Sequence, residues 1–211
     1  VRAISGDPIY SEPMRGRDVR KIVDLGHKFG VYPQVFTWDT IYTEKVIYFS
    51  ANYSKWNKQL PEDRRVRIEV IKPEQWDSII DDNGGKLLKT VAADDDGDNV
   101  AHMRSEVQKL DVEVASSGLN NFEVMAGGVS KGRAVEMLSK HYGIERSAVI
   151  CIGDSENDMS MIKYAGLGVA MGNGMDAVRK AADFVTLSNN DDGVAYVVDK
   201  FILNGEEQAY I

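Results

Sequence analysis

Cysteine occurs once in the 211 residues, at Cys151, and histidine three times, at His27, His102 and His141. A single cysteine excludes an intramolecular disulfide framework and points to a reducing, cytoplasmic setting. Because Cys151 lies inside the apolar run AVICI, it reads as a buried structural thiol and not as a nucleophile. Each histidine stands alone in a polar helical stretch and none falls in an H-E-x-x-H spacing, so all three read as solvated surface positions. Apolar runs are short. None approaches the roughly 20 residues that span a bilayer, and the opening residues lack the charged, apolar and small-residue order of a signal peptide. Excess positive charge is missing too: 25 Lys and Arg against 33 Asp and Glu leave a formal net charge of −8. That field opposes association with nucleic acid or an anionic membrane, so any anionic ligand must be held locally.

What is present is a 43% hydrophobic chain long enough for one large domain or two small ones with real cores. From residue 148 onward, short β-rich runs alternate with helical patterns, as in βα units around a parallel sheet. Strands are expected at 148–152, 167–171 and 183–187, and helices at 156–165, 174–182 and 190–203. Ahead of them, KGRAVEMLSKHYG (131–143) is amphipathic, with Val135, Leu138 and Tyr142 near one face and Gly143 as its terminator. The earlier region has a different rhythm. A helix over 17–29 precedes a strand pair, 31–38 and 40–50, turning at Asp39; a helix over 51–60 and a charged connection follow. Then come a helix at 73–82, a strand at 86–93, a helix at 98–110 and a strand at 111–117. This α+β order differs from the later βα order, so the pattern implies two domains. It divides the chain into a core segment (1–16), an α+β domain (17–120) and an α/β portion (121–211). No internal repeat or low-complexity tract interrupts it.

Ligands of an open parallel sheet gather beyond the carboxyl ends of its strands. Gly153, Asp154 and Ser155 occupy that position after AVICI. A carboxylate there, with further oxygen ligands and water, suits Mg²⁺, while Asn157 and Asp158 fall in the first helical turn, where free N–H groups can face an anion. The plainer reading is also open: Asp154 as a turn residue and Asp158 as a helix N-terminal acid. Lys131, in GGVSKG (127–132), starts a helix, where a cation opposes the helix dipole. It could neutralise a phosphoryl group, or be a solvated lysine beside turn glycines.

GVSKGRAVEMLSKHYGI, VICIGDSENDMSMIKYAGLGVAMGNG and ADFVTLSNNDDGVA, in that order and spacing, resemble the last half of the haloacid dehalogenase superfamily, and within it the Cof-type sugar-phosphatase-like subfamily. The likeness is strong over 123–203 and weaker through the preceding region, which matches a cap domain of the C2 type, to GDPIYSEPM near the start. It implies a Rossmannoid parallel sheet with an inserted α+β cap, and a Mg²⁺-dependent phosphatase in which an aspartate attacks the phosphoryl group and the aspartyl phosphate is then hydrolysed. Carried onto this chain, it makes Lys131 the contact to the phosphoryl group, Asp154 a ligand of Mg²⁺, Asn157 an aid to phosphate binding and Asp158 a support of the metal site. The family's D-x-D-G-T nucleophile motif is not found ahead of the cap, and Asp7 precedes a proline without the apolar strand such a loop needs. The core is therefore expected to be incomplete, and turnover by the family mechanism is not expected of the chain as it stands. The expected partner is a small phosphorylated metabolite. A phosphate-binding or regulatory module without catalysis, and a sugar phosphomutase, are the alternative functions.

Three further patterns resemble sites. LLKTVAADDDGDN (87–99) sets Asp94 and Asp96 after an apolar run like a nucleophile loop, but only 34 residues separate Asp96 from Lys131, too few for the intervening sheet elements. It reads as a strand-to-helix loop. A calcium loop fails as well, because counting Gly97 as position six puts Met103 where a Glu is required. The glycines at 166, 168 and 172 bracket a strand and miss G-x-G-x-x-G by one residue. Trp38, Trp56, Trp76, Tyr32, Tyr42, Tyr48 and Tyr53 concentrate in the cap and read mostly as its core.

Overall fold

The computed structural model describes residues 1, 9–118 and 120–203; Asp7 lies outside them. The chain divides into two compact units, one of Ser11–Val129 and one of Val1–Tyr10 with Ser130–Ile211. These boundaries differ from the 16/17 and 120/121 of the sequence pattern, for reasons visible in the first unit. The Met14 N–H donates to the Leu87 carbonyl at 2.7 Å, and Met14 is buried with Val19 and Ile22. At the other end, residues 121–126 form a strand of the same unit.

In chain order the 11–129 unit contains α1 (Gly16–Phe29), β1 (Gln34–Phe36), β2 (Thr40–Thr43), α2 (Tyr48–Asn57), β3 (Arg67–Val70), α3 (Trp76–Asp82), β4 (Lys89–Ala93), α4 (Gly97–Val107), β5 (Val112–Gly118) and β6 (Asn121–Ala126). Its six strands run in the order β3-β2-β1-β4-β6-β5. Every neighbouring pair is antiparallel except β2 and β3. Side chains alternate between faces along a strand, and both faces of this sheet are covered. Val35, Tyr42, Ala92, Phe122 and Val124 join the apolar stripe of α1 (Val19, Ile22, Val23) and residues of α3 and α4 in one core. Phe36, Ile41 and Val91 face the other way, with Phe49 and Tyr53 of α2 packed against them. Two covered faces account for the nearly continuous apolar runs. α1 ends at Gly30, whose φ of 70° is the left-handed conformation that terminates helices.

Two strands depart from the sequence pattern. β3 lies in what reads as a charged connection, and β6 in what reads as a crossing between domains. β6 carries Phe122 and Val124 inward at alternate positions. The aromatic residues also divide: Trp76 and Tyr42 are buried, whereas Trp38 and Trp56 are 53% and 54% exposed. The acids of 94–98 form the strand-to-helix loop: the Asp96 side chain caps α4 by accepting from the N–H groups of Asp98 and Asn99.

The 130–211 unit contains α5 (Lys131–Tyr142), β7 (Ile150–Gly153), α6 (Met159–Tyr164), β8 (Leu167–Ala170), α7 (Asp176–Ala181), β9 (Phe184–Val185) and α8 (Gly193–Val198), the last continuing in a π-helical turn, Asp199–Leu203. β7, β8 and β9 are parallel and adjacent in that order, so the fold is α/β with a parallel sheet. Val169 and Leu167 pack with Val197 on one side of it, and Ala170 with Ile162 and Val178 on the other. α5 begins on the Ser130 cap and ends at Gly143, φ 65°. Tyr142 is 59% exposed, contrary to its expected place on the apolar face; Gly132 and Ser139 are the buried positions of α5. Cys151 is buried, and burial pushes its thiol above the ordinary range. The three histidines are exposed, with His27 paired to Glu44 and His102 stacked on Phe29. Among the described residues no helix is long and apolar enough to cross a membrane.

Phe122, fully buried in β6 between β4 and β5, tests the strand order. Truncation to Ala is expected to cost about 3–5 kcal/mol, read as a lower urea midpoint of the 11–129 unit. An unchanged midpoint contradicts the central position of β6.

Candidate functional site

The carboxyl end of β7 delivers Gly153 and Asp154 to the sheet edge where ligands collect. The chain then turns through Ser155 into a short 3-10 turn, Glu156–Asp158, that leads into α6. Asp158 organises the turn. Its Oδ2 accepts hydrogen bonds from the N–H groups of Asp154 at 2.9 Å and Ser155 at 3.1 Å, and from the Ser155 hydroxyl at 3.3 Å. A helix N3 acid reaching back to the N-cap N–H is half of a capping box. Oδ1 accepts from Lys131 Nζ at 2.5 Å, and Lys131 also donates to Asn157 Oδ1 at 3.2 Å. The Ser155 hydroxyl shares its single hydrogen between Asp158 Oδ2 and the same Asn157 oxygen, the nearer of the two at 2.9 Å. With that oxygen occupied twice, the amide nitrogen of Asn157 remains as a donor.

The close approach of α5 to this turn depends on two glycines. At Gly132 a Cβ would collide with the Ser160 carbonyl, and the Gly132 N–H donates to the Ser160 hydroxyl at 3.0 Å. At Gly153 a Cβ would collide with the Asp158 side chain. The absence of side chains lets the start of α5 rest on the start of α6, which carries Lys131 to Asp158.

Asp158 is 4% exposed. Burial works to raise its carboxyl, but the hydrogen bonds from Lys131, Asp154 N–H and Ser155 N–H outweigh burial and hold it below the ordinary carboxylate range. Asp154 differs: its side chain is exposed, and its carboxylate meets no hydrogen-bond partner among the described residues, although its backbone is held by Met175 N–H at 2.9 Å.

The four residues singled out in the sequence, Lys131, Asp154, Asn157 and Asp158, thus share one end of one sheet, with Lys131 joined to Asn157 and Asp158. Among the described residues no group of three His, Cys, Asp or Glu side chains is placed to cage a metal. Mg²⁺ needs no such cage, since it is commonly held by one or two carboxylates with water and substrate phosphate. Asp154, exposed and without a carboxylate partner among the described residues, has the oxygens for that role. Both oxygens of Asp158 are engaged, so its place as a direct ligand is taken by the turn and Lys131. The sequence pattern missed Ser160, a hydroxyl that seats a neighbouring helix and leaves no motif. It also left Ser155 without a role, although S-E-N-D at a helix start is a readable capping signature.

A family model described as haloacid dehalogenase-like hydrolase matches residues 1–198. Among curated proteins, the 5-amino-6-(5-phospho-D-ribitylamino)uracil phosphatase YwtE of Bacillus subtilis is 35% identical over 137 residues, covering 64% of this chain and 48% of that protein. YcsE of the same organism, named for the same activity, is 42% identical over 93 residues, covering 44% and 37%. The matches thus span about half or less of these relatives. A solved haloacid dehalogenase-like hydrolase from Bacteroides thetaiotaomicron is similar at a TM-score of 0.73 and 25% identity, covering 94% of this chain and 71% of that one. A subclass IIB sugar phosphatase of the same superfamily shares the fold at a TM-score of 0.76 and 19% identity, over 94% of this chain and 71% of its own.

Two outcomes are expected of the Lys131–Asp158 contact. The lowered pKa of Asp158 means that its contribution to stability is complete above the unfolded carboxyl value of about 3.9 and is lost as pH falls through the folded value. Replacing Lys131 with Ala should move the Asp158 carboxyl upward, followed by carboxyl-carbon NMR; a titration unchanged from wild type contradicts the pairing. Gly132→Ala should disturb the same contact from a distance by pushing α5 off Ser160, and should raise the Asp158 carboxyl without removing a charge.

Proposed function

The chain belongs to the haloacid dehalogenase-like hydrolases, in the Cof-type subfamily, and from that premise we propose that the 130–211 unit is the phosphate- and cation-holding part of a Mg²⁺-dependent phosphatase. Its substrates are small phosphate monoesters of the sugar-phosphate kind. The observation that carries this reading is the pairing of a fixed cation, Lys131, with a buried anion, Asp158, beside an exposed carboxylate, Asp154, that has no partner among the described residues. The named activity of the Bacillus subtilis relatives, removal of phosphate from a phosphoribityl compound, supports the substrate class.

In this reading the Lys131 ammonium and the Asn157 amide nitrogen are the donors for the phosphoryl oxygens. Lys131 is half exposed on the ligand side while one of its hydrogens is committed to Asp158, so it can meet an anion without moving. Asp158 aligns Lys131 and locks the turn that presents Asp154. Asp154 would hold Mg²⁺, which when bound offsets charge on the phosphoryl oxygens. Preorganised charges of this kind lower the barrier to phosphoryl transfer because they need no reorientation as charge develops.

Calorimetric titration with Mg²⁺ and with inorganic phosphate tests the assignments on the protein itself. Asp154→Asn should weaken Mg²⁺ binding and leave the fold intact. Lys131→Ala should weaken phosphate binding by about 10- to 100-fold, the loss expected for a hydrogen bond to a charged group of roughly 1.5–3 kcal/mol. Unchanged isotherms remove both assignments. Hydrolysis of an aryl phosphate that requires Mg²⁺ and disappears in Asp154→Asn supports the phosphatase. Binding of both ions without any turnover by the full-length protein overturns hydrolysis in favour of a phosphate-binding module.

A further inference from the structure

The sheet of the 11–129 unit ends on β3, and its outer rim is closed at one point by a side chain. β3 bonds inward through alternate residues: the Arg67 N–H donates to the Asp39 carbonyl at 2.7 Å and the Ile71 N–H to the Thr43 carbonyl at 2.9 Å. Alternation along the strand turns the backbone groups of Val66, Ile68 and Val70 away from β2. At Val66 those groups are taken. Asn57, the last residue of α2, accepts from the Val66 N–H at 3.0 Å and donates to the Val66 carbonyl at 2.6 Å. Its amide thus does what one residue of a further strand would do. Among the described residues no strand lies beside Ile68 and Val70 on this side. Val70 is 61% exposed, and much of Trp56, the residue before Asn57, is exposed too.

The residues along this rim, Val66–Arg67–Ile68–Glu69–Val70, complement themselves about their centre. A second copy laid antiparallel, with a two-fold axis at Ile68, sets Ile68 against Ile68 and Val66 against Val70 as hydrogen-bonded pairs. All three positions are those whose backbone groups point outward. The same register sets Arg67 opposite Glu69 on both sides of the axis, in the non-hydrogen-bonded positions where side chains approach most closely. Within one strand these two residues already lie 3.5 Å apart, so the exchange keeps each charge partnered. The register has one obstacle. Val70 of the second copy needs the backbone of Val66, which Asn57 occupies.

We propose that the outer edge of β3 is a self-complementary strand for a second copy of this chain, and that the Asn57 side chain keeps it closed by occupying the backbone of Val66. Exposed edges are a standing route to unwanted strand pairing, and proteins blunt them with local devices. A helix-terminal amide that imitates a strand neighbour is such a device.

Sedimentation of the full chain tests the inference. Wild type should show no association through β3, whereas Asn57→Ala should show a concentration-dependent doubling of mass. Glu69→Arg in that background, which sets like charges opposite each other, should abolish the doubling, and adding Arg67→Glu should restore it. A folded Asn57→Ala that stays monomeric overturns the proposal, as does a dimer indifferent to the single charge reversal. Amide exchange of the wild type gives an arm independent of any variant's folding. Val66 should be protected, with Ile68 and Val70 exchanging faster than Arg67 and Glu69; equal protection along the strand shows that the edge is not open and overturns it too.

Discussion

The carboxylate of Asp158 is the constraint on which the candidate site depends. Removed from water, it must be fully hydrogen-bonded, since an unpartnered buried charge is severely costly. It meets that requirement with two backbone N–H groups, a hydroxyl and an ammonium. Each donor belongs to a part of the site that has to be positioned: Asp154 and Ser155 in the turn, Lys131 on the neighbouring helix. One buried acid therefore ties a strand end, a turn and a helix start into a single arrangement. It also answers the problem posed by Lys131, a cation at a helix N-terminus, where the dipole is unfavourable. Asp158 and Asn157 supply the negative counterpart that the helix end does not.

Asp94 and Asp96 use the same elementary chemistry to a different end. Both acid groups follow a strand and open a helix, and in both an aspartate accepts from backbone N–H groups of the turn. The difference lies in what else is near. Asp96 spends its oxygens on Asp98, Asn99 and the Asn99 amide, which caps α4 and leaves a solvated loop. Asp158 is brought against a lysine from another helix, and Asp154 beside it has an exposed carboxylate with no partner among the described residues. Local acid spacing makes a cap; a cap becomes a candidate site only when a distant cation arrives at it.

The 11–129 unit shows the corresponding division between local pattern and pairing. Its buried strands present apolar residues to both faces, and this covering is a property of the whole sheet. The edge strand β3 has little to bury and mixes charge with apolar residues. Its identity as a strand comes from the backbone of β2 beside it and the Asn57 amide at its start. Beyond that start, the outward groups of Ile68 and Val70 have no strand neighbour among the described residues.

Much of the molecule was legible in the residues alone. The βα rhythm after residue 148, the stop at Gly143 and the burial of Cys151 all follow from periodicity and cap chemistry. The strand-to-helix nature of the 94–98 loop follows in the same way. β6 was legible in principle, because Phe122 and Val124 alternate with polar residues, but the pattern is short and sits beside a presumed domain crossing. Trp38 and Trp56 were misplaced because aromatic content does not reveal which residues a sheet face has room to cover, and β3 because edge strands carry little apolar signal. By itself the sequence determined that Lys131, Asp154, Asn157 and Asp158 stand at element ends, since the turn and cap chemistry around them is local. Only the tertiary structure decided that Lys131 meets Asp158 and Asn157, that both oxygens of Asp158 are taken while those of Asp154 meet no partner among the described residues, and that Gly132 rests on Ser160. Those facts depend on two helices separated in the chain packing closely enough for a buried charge to find its partner.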